Sequence, residues 1–168
     1  MSLAGLETAE VLDSSVPAVN SALQRARATL ASTPTPRPST EAAEQSMLSR
    51  YLNAWEKSDI KALISTLRDD ASLVMPPMPQ WFKGAQNIEA FLTQPFIFDT
   101  QADAGRYKGV FTRASGFPAI ALFRRPSPGA PWVPDSLHVL ELDGEKLGRM
   151  VVYVTPSLHP AFGISALP

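Results

Sequence analysis

The sequence predicts an α+β protein, three helices packed in a curved antiparallel sheet, preceded by a separate helical pair. Three observations predict it. Apolar residues recur at spacings of three and four up to about residue 92, the period of helices. From about residue 106 they run in four strand-like stretches, two pairs of which are joined by the short turn signals Ser115-Gly116 and Asp143-Gly144. Between the two helical parts, residues 32–40 read Ser-Thr-Pro-Thr-Pro-Arg-Pro-Ser-Thr, and prolines alternating with small polar residues favour an extended, semi-rigid linker. The expected organisation is a helical pair at 1–31, a linker at 32–40, a larger domain at 41–160 and a tail at 161–168.

The helical pair comes first. Residues 10–30 have the shape of a short helix, a tight turn at Asp13 and a second helix capped by Ser14 or Ser15. Pro17 is tolerated in the first turn of that helix. Val16, Val19, Leu23 and Ala26 form its expected buried face, which leaves Asn20, Ser21, Gln24, Arg25 and Arg27 outward. A helix-turn-helix presents such a row to a DNA groove, where Asn and Gln pair with adenine and Arg with guanine or phosphate. The same row also suits an ordinary solvated helix face.

In the larger domain, Thr40 can cap a helix over about 41–57, with Ala43, Met47, Tyr51, Ala54 and Trp55 on one face. Ser58-Asp59 breaks it, and a short helix to about Leu67 turns Ile60, Leu63, Ile64 and Leu67 inward. Asp69 and Asp70 then read as exposed residues of a helix end or turn. A strand is expected over 71–75, irregular backbone at Pro76-Pro77-Met78-Pro79, and a third helix over 85–92 after Gly84. Strands follow at 106–114, 117–125, 132–142 and 146–154. Within them Tyr107, Gly109 and Phe111 point one way, and Phe117, Ala119, Ala121 and Phe123 share a face.

Composition narrows the functions. With 15 basic and 16 acidic residues there is no global field of the kind that drives non-specific nucleic-acid binding, but 24–37 carries Arg25, Arg27 and Arg37 and no acid. No cysteine is present, which excludes disulfides, thiolate catalysis and Cys-based metal sites. Two histidines, His138 and His159, argue against a His-rich metal site, and no metal or cofactor is expected. No apolar run approaches a membrane span and no signal-peptide pattern opens the chain, so a cytoplasmic location is expected.

Two resemblances extend this reading. Tyr51-Leu-Asn-Ala-Trp55, Ser58-Asp59, Arg68-Asp-Asp-Ala-Ser-Leu73 and Gly84, over about residues 41–155, resemble the SnoaL-like branch of the nuclear-transport-factor-2-like (NTF2-like) superfamily. Met75-Pro-Pro-Met-Pro-Gln-Trp-Phe82, His138-Val-Leu-Glu-Leu142 and Pro160-Ala-Phe-Gly163 are similar to the C-terminal domain of certain extracytoplasmic-function sigma factors. Residues 10–27 are similar to the end of sigma region 4, which reads the −35 promoter element, with Asp13 at the turn position where glycine is frequent. The resemblance implies the C-terminal part of a sigma factor. It implies promoter DNA, RNA polymerase core and other sigma regions as partners, and a regulatory SnoaL-like domain that holds a small apolar ligand or forms a homodimer.

A pocket inside that domain would be lined by Tyr51, Trp55, Met75, Trp81, Phe82, Phe91, Phe111, Phe123, His138 and Tyr153. Such a set is also what any core looks like. Trp81-Phe82 after the proline run suits a lid loop over the pocket mouth or a surface for another domain. Relatives of this fold include ketosteroid isomerase, which pairs an aspartate base with a tyrosine and a protonated aspartic acid. Tyr51 keeps the tyrosine, but the base position falls on Met75 and the second acid on Leu137, so no catalytic residue is expected. The alternatives are a small polyketide-cyclase or isomerase-like enzyme using Tyr51 and His138, and a non-catalytic ligand-binding or dimerisation module. His159 has no assigned role, and Arg124-Arg125 reads as a small basic surface patch.

Overall fold

The structure, a computed structural model, describes residues 3–32, 39–94, 105–164 and 167. It divides into two compact units, Met1–Thr35 and Pro36–Pro168. The centre of the expected linker, 33–38, lies outside the described residues.

In the first unit, α1 (Leu3–Val11) and α2 (Val16–Ser32) are joined by a tight turn. Asp13 takes the left-handed conformation there (φ 45°), which its short polar side chain tolerates. Ser15 Oγ accepts from the Ala18 amide at 3.3 Å and caps α2. The expected buried face is only partly realised. Val19 is buried and Val16 half-buried, but Leu23 and Ala26 are exposed. The reason is length. At about 1.5 Å per residue, a nine-residue helix reaches the early turns of a seventeen-residue one and no further.

The second unit opens with α3 (Glu41–Glu56), whose first turn is capped by Thr40 Oγ1 accepting from the Ala43 amide at 3.2 Å. Met47, Leu48, Tyr51 and Ala54 are its buried residues. Ser58 (φ 52°) turns the chain, and Asp59 caps α4 (Ile60–Ser65) through the Ala62 amide. β1 (Leu67–Val74) starts four residues before the expected strand, so Asp69 and Asp70, exposed as expected, lie on a strand and not in a turn.

After the proline turn, Trp81–Lys83 forms β2, antiparallel to β1. This corrects the lid-loop reading of Trp81-Phe82, whose backbone is held in the sheet. Gly84 (φ 92°) then turns the chain into α5 (Ala85–Leu92).

β3 (Tyr107–Ala114), β4 (Phe117–Arg124), β5 (Val133–Asp143) and β6 (Lys146–Tyr153) form an antiparallel meander close to the expected bounds. The six strands are ordered β2-β1-β6-β5-β4-β3. One joint differs from the expectation of a wholly antiparallel sheet, because β1 pairs parallel with β6.

The sheet is apolar on both faces. On the inner face, Leu73, Ile120, Leu122, Leu140 and Met150 join the core residues of α3, α4 and α5. Gly109 lets α3 come close, since a Cβ there would stand 2.5 Å from Leu52 Cδ1 and 2.8 Å from Ile120 Cγ2. On the outer face, Ala114, Ala119, Ala121, Phe123, Leu137 and Val139 form a second cluster with Ile164. A 3-10 segment, Pro156–Phe162, packs there against β5. Residues 161–164, expected as tail, therefore include part of the core.

Candidate functional site

The most organised polar feature of the second unit is a buried line of hydrogen bonds leading from α3 to the sheet rim. Tyr51 and His138 are both fully buried, 87 residues apart in sequence and 2.9 Å apart from Tyr51 Oη to His138 Nδ1. Ser136, two residues from His138 on the same strand and so on the same face, lies 2.9 Å from His138 Nε2. Its hydroxyl donates to Asp135 Oδ2 at 3.0 Å, and Asp135 Oδ1 accepts from Arg124 Nε at 3.1 Å.

The donors and acceptors fix one consistent direction. Ser136 spends its proton on Asp135, so its oxygen accepts from His138 Nε2–H. His138 Nδ1 is then bare and accepts from the Tyr51 hydroxyl. The imidazole is neutral in this arrangement. Burial, reinforced by the nearby His159, holds it so, with a pKa pushed down to about 3. Burial pushes the Tyr51 phenol up, further from ionising. Trp55 closes the group, its ring edge-on to His138 at 4.9 Å and to Tyr107 at 5.5 Å.

Beside this line is an apolar cavity of about 40 Å³, lined by Tyr51, Trp55, Leu63, Leu73, Met75, Phe91, Leu92, Met150 and Val152. That is room for one or two waters, well below the several hundred Å³ of a drug-sized ligand site. Tyr51 has committed its proton to His138, and Met75 offers a thioether that takes no proton.

The expected pocket residues are therefore divided. Tyr51, Trp55, Met75 and Phe91 meet at the cavity, with His138 behind Tyr51. Trp81 and Phe82 belong to a surface cleft beside α5, where Phe82 stacks on Phe91 at 4.4 Å. Trp81 is 61% exposed. Phe111 lines another cleft with Glu41, Glu44 and Arg113 and is partly exposed. Phe123 and Tyr153 pack in the outer cluster, across the sheet from Tyr51. The reason is register. Lys108 pairs with Phe123 and Gly109 with Leu122, so Leu122, not Phe123, shares the helix-facing side with Gly109. Leu137 also faces outward, and His138 takes the inward place beside it.

Three participants, Asp135, Ser136 and His159, escaped the sequence reading. Ser136 had a signal, since i and i+2 on a strand share a face with His138. His159 had none. It is fully buried, donates from Nε2 to the Ser136 carbonyl at 3.0 Å and sets its ring against Phe123 at 5.0 Å.

On α2 the expected DNA-facing residues Asn20, Ser21, Gln24, Arg25 and Arg27 are all exposed. Successive helical residues turn about 100°, which puts the five on one side of the helix. Among the described residues, no group of three or more His, Asp or Glu is placed to hold a metal ion, and no helix is long and apolar enough to cross a membrane.

Helices packed into a curved six-stranded sheet define an NTF2-like, SnoaL-like fold. An NTF-2 like protein of unknown function from Burkholderia xenovorans superposes with a TM-score of 0.51 at 14% identity, over 67% of this chain and 83% of that one. A de novo designed protein with a curved β-sheet does so with a TM-score of 0.53 at 10% identity, over 74% and 94%. These likenesses carry the fold alone.

The chain matches no family profile. Its sequence is 32% identical over 166 residues to the ECF RNA polymerase sigma factor SigG of Mycobacterium tuberculosis, and that match covers 94% of this chain. The resemblance to extracytoplasmic-function sigma factors therefore stands. The chain spans 43% of the length of that relative.

Proposed function

We propose that this chain is the C-terminal part of a sigma factor for transcription initiation. In it, α1 and α2 form the end of a promoter-reading helix-turn-helix, and the SnoaL-like unit is a non-catalytic regulatory module. The observation that carries this reading is the match to SigG, which runs through both units and not through the sheet domain alone. The exposed row Asn20, Ser21, Gln24, Arg25 and Arg27 supports DNA contact by α2. The partners are promoter DNA, RNA polymerase core and the other sigma regions, in the cytoplasm. The sheet domain acts by packing against those regions. A small apolar ligand or a second copy of the domain would regulate it only through differential affinity for its docked and free states.

The test is promoter-directed transcription with core polymerase, comparing the full-length protein with a version cut near Pro36. A change in initiation on cutting supports the regulatory role. Unchanged initiation removes it.

A second reading, a small enzyme of the isomerase or cyclase type, is favoured by one observation, the 2.9 Å contact of Tyr51 with His138. Turnover of an enolisable ketone that vanishes in Tyr51→Phe and His138→Gln would establish it. The small apolar cavity and the neutral, fully bonded imidazole weigh against it.

A further inference from the structure

The sheet domain carries a cationic platform beside its outer hydrophobic cluster. Trp132 lies just before β5, half-buried, and packs against the outer cluster. Two cations stand over its ring, Lys108 Nζ at 5.4 Å and the Arg125 guanidinium at 5.0 Å. They arrive from different strands, Lys108 from β3 and Arg125 from just past the end of β4. Arg106 ties those two chain segments together, donating to the Arg125 carbonyl at 3.3 Å and to the Pro126 carbonyl at 2.6 Å.

Neither Lys108 nor Arg125 forms an ion pair with a described residue, whereas the adjacent Arg124 is matched by Asp135. Arg125 Nε is buried with no hydrogen-bond partner among the described residues. Two like charges held over one ring repel each other. Closely spaced negative charge relieves that repulsion. Stacking also removes part of the side-chain entropy that free Lys and Arg would lose on binding.

We propose that Lys108 and Arg125, mounted on Trp132, contact the phosphate backbone of nucleic acid. The sheet domain thereby supplies a second DNA contact, separate from α2. A duplex carries about one charge per 1.7 Å of axis, so adjacent phosphates provide the dense charge that two cations on one ring call for. Phosphate oxygens also match the planar N–H edges that a stacked guanidinium leaves free. The contact carries no base information and adds affinity without sequence preference.

The test uses the whole chain and a labelled duplex, with binding followed by fluorescence anisotropy from 50 to 200 mM salt. Each lost phosphate contact lowers the slope of log affinity against log salt by about 0.9. Lys108→Gln, at an exposed position, should lower it by about 0.9. Lys108→Gln with Arg125→Gln should lower it by about 1.8 and weaken binding about tenfold at 50 mM. Arg25→Gln with Arg27→Gln reports separately on α2. If that pair weakens binding while the Lys108 and Arg125 variants leave affinity and slope unchanged, the platform is overturned and the helix-turn-helix reading stands. If only the Lys108 and Arg125 variants weaken binding, the platform stands and the reading of α2 falls. Polyglutamate of equal charge binding as tightly as the duplex at the same salt also overturns the proposal, in favour of an acidic protein partner.

Discussion

The two units bury their side chains on very different scales. In α1–α2 the buried apolar residues are Ala9 and Val19, while Leu12 is 63% and Leu30 73% exposed. In the sheet unit, cores lie on both faces of the sheet, and Met47, Ile88, Ile120, Leu122, Leu140 and His138 are all wholly inaccessible. A helix pair with so little burial gains little beyond its own propensity, and isolated helices of this length are marginal in water. One unit carries its own stability. The other is a capped but thinly packed pair of helices.

The largest effect should come from hollowing the core of the stronger unit. Leu122→Ala, at a fully buried site, should cost about 2–5 kcal/mol and lower the main thermal transition, whereas Val19→Ala should erode helical signal without moving that transition. Circular dichroism melts of both variants test the contrast. A main transition that falls with Val19→Ala would mean that the units melt together.

Acid should sharpen the same contrast, because His138 is buried only in the sheet unit. Its folded pKa, about 3, lies below the unfolded value near 6.5. The folded state therefore excludes a proton that the unfolded chain accepts. This stability is fully present above about pH 6.5 and is lost as pH falls toward 3, at about 1.4 kcal/mol per unit. Urea titrations at pH 7 and pH 5 should differ accordingly, and His138→Gln should flatten that difference.

Smaller still is Tyr51→Phe, which keeps the ring and deletes the donor to His138 Nδ1. It should cost about 1–3 kcal/mol by stranding a buried acceptor, measured as a shift in the urea midpoint. The smallest pair compares caps. Thr40→Ala should cost the sheet unit about 1 kcal/mol, while Ser15→Ala should lower only the helical content of α1–α2.

Much of the fold was legible in the sequence because its signals are local. Thr40, Asp59 and Gly84 mark helix starts by their own chemistry, and Ser115-Gly116 and Asp143-Gly144 mark hairpins. The site was legible only in part. On β4, Pro118 to Phe123 are all buried, so alternation could not say which residues face the helices. That depends on pairing with β3, a long-range fact, and it is why Phe123 was placed with Tyr51. The short strand at Trp81 was hidden by the prolines before it. His159 is flanked by Leu158 and Pro160, an apolar setting with no period to mark it as core.

The parallel pairing of β1 with β6 has a consequence for the order of synthesis. β1 leaves the ribosome long before its neighbour in the sheet exists. Until Lys146–Tyr153 appears it can be covered on one side only, by the three-residue β2. The nascent sheet thus waits with an open edge, the unpaired backbone N–H and C=O groups of β1, that other strands can join. Closure of the sheet is the late, non-local step in making this protein, and that interval is when it is most exposed to mispairing.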